Sequence, residues 1–144
     1  MRKYFLFDIN DRYYNLYLYK ERLLFRTLES LYNNESHQKA NNISLFNQLC
    51  GPININYLNT YFNNKVFIKN NNNKHLYISM KSNEKTLIEL NYSCIIMLTN
   101  KNFSRLFKVF NYYSKRIFVC DFENQDYFWL DSQYLNNIHN NEYN

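Results

Sequence analysis

A single glycine, Gly51, and a single proline, Pro52, stand side by side in a chain of 144 residues. Reversals elsewhere fall to asparagine, aspartate and serine, whose short polar side chains suit turns. The pair itself follows an apolar helical pattern, in the order expected past a helix end: glycine first, then proline. The shortage also excludes phosphate binding through a glycine-rich loop, which needs several glycines. Alanine is equally scarce, with Ala40 alone, while Tyr, Phe, Ile, Lys and Asn abound. The scarce residues have GC-rich codons and the abundant ones AT-rich codons. Part of the net charge of +5 and the run Asn70 to Asn73 are therefore explained by composition.

The hydrophobic period switches along the chain. Phe5, Phe7 and Ile9 alternate along a strand, and Asn10-Asp11 supplies a turn. Tyr13 to Tyr19 alternates again, with Tyr14, Leu16 and Leu18 on one side and Tyr13, Asn15, Tyr17 and Tyr19 on the other. We read the two as a hairpin, with a helix from Asp11 as the alternative for the second arm. From Lys20 to about Tyr32, the residues Leu24, Phe25, Leu28, Leu31 and Tyr32 follow helical spacing. After a polar segment, 33–42, comes a short helix with Ile43, Phe46, Leu49 and Cys50 inward, ended by Gly51-Pro52. Ile55, Leu58 and Phe62 mark another. Strands are expected at 66–69, at 75–80 and at 86–90 after a turn at Ser82-Asn83-Glu84, with 95–98 extending or following the last. A second long helix, capped by Thr99 or Asn100, carries Phe103, Leu106, Phe107, Phe110 and Tyr113. Strands at 117–122 and 127–130 flank a turn. The fold class is α+β: a single domain, mainly antiparallel sheet flanked by helices, over residues 1–131, with an Asn-rich tail at 132–144.

Little in this pattern supports catalysis. Cys50, Cys94 and Cys120 form no CxxC pair, so buried free thiols in a reducing cytosol are expected and a zinc site is not. No apolar run approaches the roughly 20 residues a membrane span takes. His37 and His139 lie in polar segments and His75 opens a strand, so no nucleophile has an evident base. A small enzyme would have to gather Asp121 or Glu123 with His75. Glu123, Asp126 and Asp131 read as solvated turn residues. No catalytic residue, metal, cofactor, membrane or small-molecule substrate is expected. A single-stranded nucleic-acid-binding module is the alternative class, with bases on tyrosines and phosphates on lysines. The charges look dispersed, however, and no nucleic-acid-binding signature is present, so direct contact is not expected.

The tyrosines near the N-terminus are the most pointed feature. Tyr13 and Tyr17 share a face in a strand, and also in a helix, where they are neighbours at i and i+4. Tyrosine is enriched at protein interfaces because it offers large area and few rotors. With 15 tyrosines in the chain, chance pairing or a covering helix explains such a face equally well.

Three blocks decide between these readings. The first is Tyr13-Tyr14-Asn15-Leu16-Tyr17-Leu18 with Lys20-Glu21-Arg22; the second is Gln48 to Ile55. The third is Phe118-Val119-Cys120-Asp121-Phe122, a turn, then Tyr127-Phe128-Trp129-Leu130. In order and spacing they resemble the SirA family, the sporulation inhibitors of replication of spore-forming Firmicutes, over nearly the whole chain. The resemblance implies a cytoplasmic, non-enzymatic protein that binds domain I of the initiator DnaA and restrains initiation at the origin on entry into sporulation. It also implies contact through aromatic residues just after the first strand, here Tyr13 and Tyr17, with Asn15, Tyr14 and Lys20 beside them. The first aromatic is usually Phe in the family, and the loop around 70–73 differs as well.

Overall fold

Strand β1 (Arg2–Asp8) runs through the middle of the computed structural model, which describes residues 1–33, 39–63, 68–70, 75–81 and 83–131. Its side chains part to both sides. Tyr4 and Leu6 enter one core, while Phe5, Phe7 and the following Ile9 enter the other. A strand buried on both faces belongs in the centre of a sheet. Accordingly β1 pairs antiparallel with β5 (Ile95–Thr99) on one edge and with β6 (Ile117–Asp121) on the other. Beyond β5 come β4 (Glu84–Leu90), β3 (His75–Lys81) and β2 (Ile68–Asn70); beyond β6 comes β7 (Asp126–Leu130). The result is a seven-stranded antiparallel sheet of order β2-β3-β4-β5-β1-β6-β7.

Helices cover both faces. On the Phe5/Phe7 side lie α1 (Asp11–Tyr17), α2 (Glu21–Asn33) and α3 (Lys39–Leu49), with Leu24, Phe25 and Leu28 of α2 fully buried. On the Tyr4/Leu6 side lie α4 (Ile55–Asn63) and α5 (Phe107–Tyr113), which bury Leu58, Phe62, Phe107 and Phe110. This is the α+β, mainly antiparallel architecture expected. No helix among the described residues is long and apolar enough to cross a membrane.

Three local expectations need correction. The second arm of the N-terminal hairpin is a helix, α1, and Leu16, assigned inward by alternation, is 54% exposed. The amides of Tyr13 and Tyr14 both donate to the Asn10 carbonyl, 2.9 and 2.8 Å, which starts a helical turn where a strand was expected. Ile43 is exposed, and α3 starts at Lys39, inside the segment read as polar loop. The second long helix begins only at Phe107. Thr99 ends β5, where its hydroxyl is hydrogen-bonded with that of Thr86, and the Asn100 side chain ties the β4 turn by accepting from the Lys85 amide and donating to the Asn83 carbonyl. Of the strand expected at 66–69, Ile68 and Lys69 lie in β2, while Val66, Phe67, His37, His139 and the 132–144 tail lie outside the described residues.

A buried ion pair locks the β1 and β6 ends. Asp121 is 1% exposed and accepts two bonds from the Arg2 guanidinium, at 3.0 and 2.8 Å, and two from Asn124, at 3.1 and 2.8 Å. Burial alone raises a carboxyl pKa, but the Asn124 and Arg2 hydrogen bonds outweigh it and hold Asp121 below its ordinary value. A folded pKa below the unfolded one, about 3.9, means stability that is present above that value and lost as pH falls through the folded value. Asp8 runs the other way: burial raises its pKa despite a bond from Ser114, so its favourable contribution fades as pH rises through the folded value. Asp121→Asn isolates the first effect. The variant is expected to be about 1–3 kcal/mol less stable than wild type at pH 7. Urea midpoints are expected to show that gap closing as pH falls below about 3.9.

All three cysteines are free and buried. Burial, with the nearby Glu89, pushes the Cys94 thiol up to about 12, and burial also raises Cys50 and Cys120. Since the thiolate is the reactive form, iodoacetamide at pH 8 is expected to leave the native protein essentially unmodified. Mass spectrometry after unfolding in guanidinium is expected to show three alkylated cysteines.

Candidate partner-binding site

The site begins where β1 ends. The Asn10 side chain does not cap α1; its amide donates to the Gln48 carbonyl at 2.6 Å. The Asn10 backbone N–H donates to the Leu49 carbonyl (2.9 Å), and the Gly51 N–H to the Asp8 carbonyl (2.7 Å). These bonds pin the end of α3 beside the start of α1. Gly51 sits where a Cβ would come within 3.2 Å of the Asn10 side-chain oxygen. The one glycine therefore stands where two chain segments approach closely, and helix termination is only part of its role.

Tyr13 and Tyr17, one turn apart, form one wall of a cleft of about 140 Å³. Thr27 and Leu31 of α2 and Leu45 and Gln48 of α3 form the others. Both rings are half-buried, and no hydrogen bond engages either hydroxyl among the described residues. The Arg12 guanidinium lies 6.0 Å from the Tyr13 ring. Asn15 is exposed on the same short helix. Tyr14 turns toward the sheet, its ring edge-on to Trp129 at 5.0 Å, and supports α1 from below. Lys20 is exposed at the α1–α2 corner, in a shallow depression with Tyr19, Glu21, Arg22, Leu23 and Arg26.

Around the cleft, large apolar side chains face water: Leu16, Tyr19, Leu23 and Leu45. Singly such residues mean little, but here they gather around a concave aromatic site. The exposed charges at the corner are mainly basic, Arg12, Lys20, Arg22 and Arg26, against Asp11. Sequence reasoning singled out the α1 tyrosines but not Leu31, Leu45 or Thr27. Helical spacing marks Leu31 as inward, and nothing in the sequence tells that α3 folds back onto α1.

The residues an enzyme would need are kept apart. His75 on β3 and Asp121 on β6 are separated by β4, β5 and β1, roughly 19 Å at about 4.8 Å per strand. Asp121 is committed to Arg2 and Asn124, and Glu123 is exposed. Among the described residues no cluster of His, Cys, Asp and Glu has the makings of a metal site. What the α1–α3 surface can do is take up an apolar projection of another molecule, with cations around it to guide the approach.

No curated protein matches the chain. Residues 2–133 match the family of the sporulation inhibitor of replication protein SirA, and the chain belongs to that family. It is thus a member of a regulatory family of replication inhibitors.

Proposed function

We propose that this SirA-family chain acts stoichiometrically, binding domain I of the replication initiator DnaA with the α1–α2–α3 face and thereby restraining initiation at the origin. The observation that carries the reading is the cleft walled by Tyr13 and Tyr17, with exposed Leu16, Tyr19, Leu23 and Leu45 around it. Half-buried tyrosines with free hydroxyls suit a contact that is apolar at its centre and wet at its edge. The Tyr13 hydroxyl, where the family usually has Phe, then sits at that wet edge. Tyr13 and Tyr17 are the central contacts, Asn15 and Lys20 lie at the rim, and Tyr14 acts by holding α1 on Trp129. The work is done in the cytoplasm and requires no cofactor.

Rim charges such as Lys20 and Arg22 chiefly accelerate encounter, so added salt slows association more than it speeds dissociation. The test of the partner is a pull-down with the host's purified DnaA domain I. Retention of the domain by the wild-type chain is the expected result; failure to retain it with both proteins folded would refute the reading.

A further inference from the structure

The opposite face of the sheet carries a second aromatic surface. Helices α4 and α5 lie side by side, and between them opens a cavity of about 290 Å³ lined by Tyr57, Tyr61, Lys108, Val109, Tyr112 and Tyr113. Tyr112 is 89% and Tyr57 54% exposed, so most of the first ring and half of the second meet water. Tyr57 lies 5.9 Å from Tyr113, ring to ring, and the Tyr113 hydroxyl accepts from the Asn54 amide at 2.8 Å, which steadies that wall. The Lys115 ammonium lies 5.8 Å from the Tyr112 ring.

The charged side chains on the two helices and in the chain beside them are all basic. There is no Asp or Glu from residue 36 to 83, nor from 90 to 120, so α4, α5 and the segments leading into and out of them are free of acidic residues. Two carboxylates reach this side from other elements, Asp8, which accepts from Ser114, and the buried Glu84, which accepts from Ser104 and Thr86. Lys108 and Lys115 form no ion pair among the described residues. Lysines that look dispersed along the chain are thus brought beside open tyrosine rings. Planar platforms next to ammonium groups match the two halves of a nucleotide, a flat base and an anionic phosphate. An acidic peptide would satisfy the lysines but brings no planar group for Tyr57 and Tyr112.

We infer that the α4–α5 groove binds single-stranded nucleic acid, with bases stacked on Tyr57 and Tyr112 and phosphates on Lys108 and Lys115. The site is separate from the α1–α3 face and independent of the partner proposed there.

The test is fluorescence anisotropy of the full chain with labelled oligo(dT) of about 12 nucleotides, within the usual site size for such grooves. Saturable binding at low salt is expected, weakening with salt at a log–log slope of about −1.4 for two neutralised phosphates. Tyr112→Ala is expected to weaken binding at least about fivefold, the lower end for a lost stacking platform. Lys108→Glu with Lys115→Glu is expected to weaken it at least about tenfold. Both variants keep the wild-type melting temperature and, where the pull-down succeeds, retain DnaA domain I. Absence of binding at low salt, or variants that bind like wild type, would overturn the inference. So would displacement of the oligonucleotide by poly-glutamate at equal charge, which would reassign the groove to an acidic protein segment.

Discussion

Replacing Tyr17 with alanine is expected to weaken binding to DnaA domain I at least about tenfold while leaving the fold intact. Tyr17 combines two properties of an interface anchor. Its ring forms part of a cleft wall, and its hydroxyl makes no internal hydrogen bond among the described residues. Truncation therefore empties part of the docking surface without orphaning a buried partner. An anchor aromatic of this kind typically costs about 2 kcal/mol or more when cut back to alanine. Calorimetry against the isolated domain gives the ratio, and far-UV circular dichroism with a melting curve confirms that α1 still forms. Tyr17→Phe serves as the control. It keeps the ring and removes only the hydroxyl, and so is expected to retain most of the affinity. Wild-type affinity in Tyr17→Ala would remove this residue from the interface.

The second large effect is on stability. Phe7 is fully buried beneath the α1–α3 layer, stacked 6.0 Å from Phe46 of α3 and in ring contact with Phe5 and Phe122. Phe7→Ala removes the support under α3 and leaves a cavity that a strand paired on both edges cannot close by shifting. The expected loss is about 3–5 kcal/mol. Against a total of about 5–15 kcal/mol for a domain, that takes a large share. Chemical denaturation is expected to show a much lower midpoint with an unchanged slope. Partner binding should fall too, in proportion to the unfolded fraction, which separates this variant from Tyr17→Ala, where the chain stays folded and the loss is in affinity.

How far the sequence reveals this design depends on the element. β1, β6 and β7 were legible because alternating residues on both faces are large and apolar, a pattern no solvent-facing helix produces. α2 was legible from thirteen residues with a clean stripe ending at the half-exposed Tyr32. α1 was not. In seven residues, tyrosines and leucines at 13, 14, 16, 17 and 18 satisfy both periods, and only the turn of the backbone at Asn10 decides. α5 was placed on the right residues but started too early, because Phe103 and Leu106 pack on the core from turns that precede the helix. The candidate site was half legible. Tyr13 and Tyr17 stand out locally, whereas Leu45 and Gln48 join them only through the return of α3 to the end of β1. The α4–α5 groove was illegible, since Tyr57 and Tyr112 are far apart in sequence and only the packing of α4 beside α5 on one face of the sheet sets their spacing.

Gly51 ties these threads together. It stands two residues past the end of α3, and its missing side chain leaves room for Asn10, whose amide holds the Gln48 carbonyl while its own carbonyl starts α1. A larger residue there would press on Asn10 and so on the junction that sets α1 against α3. The cleft and the helix carrying its tyrosines thus depend on one close backbone approach.

The most direct measurement is hydrogen exchange on the full chain with and without DnaA domain I. Added protection is expected at Asp11–Tyr17 and the facing turns of α2 and α3 alone, with α4 and α5 unchanged. No added protection anywhere at saturating domain I, or protection confined to α4 and α5, would contradict it.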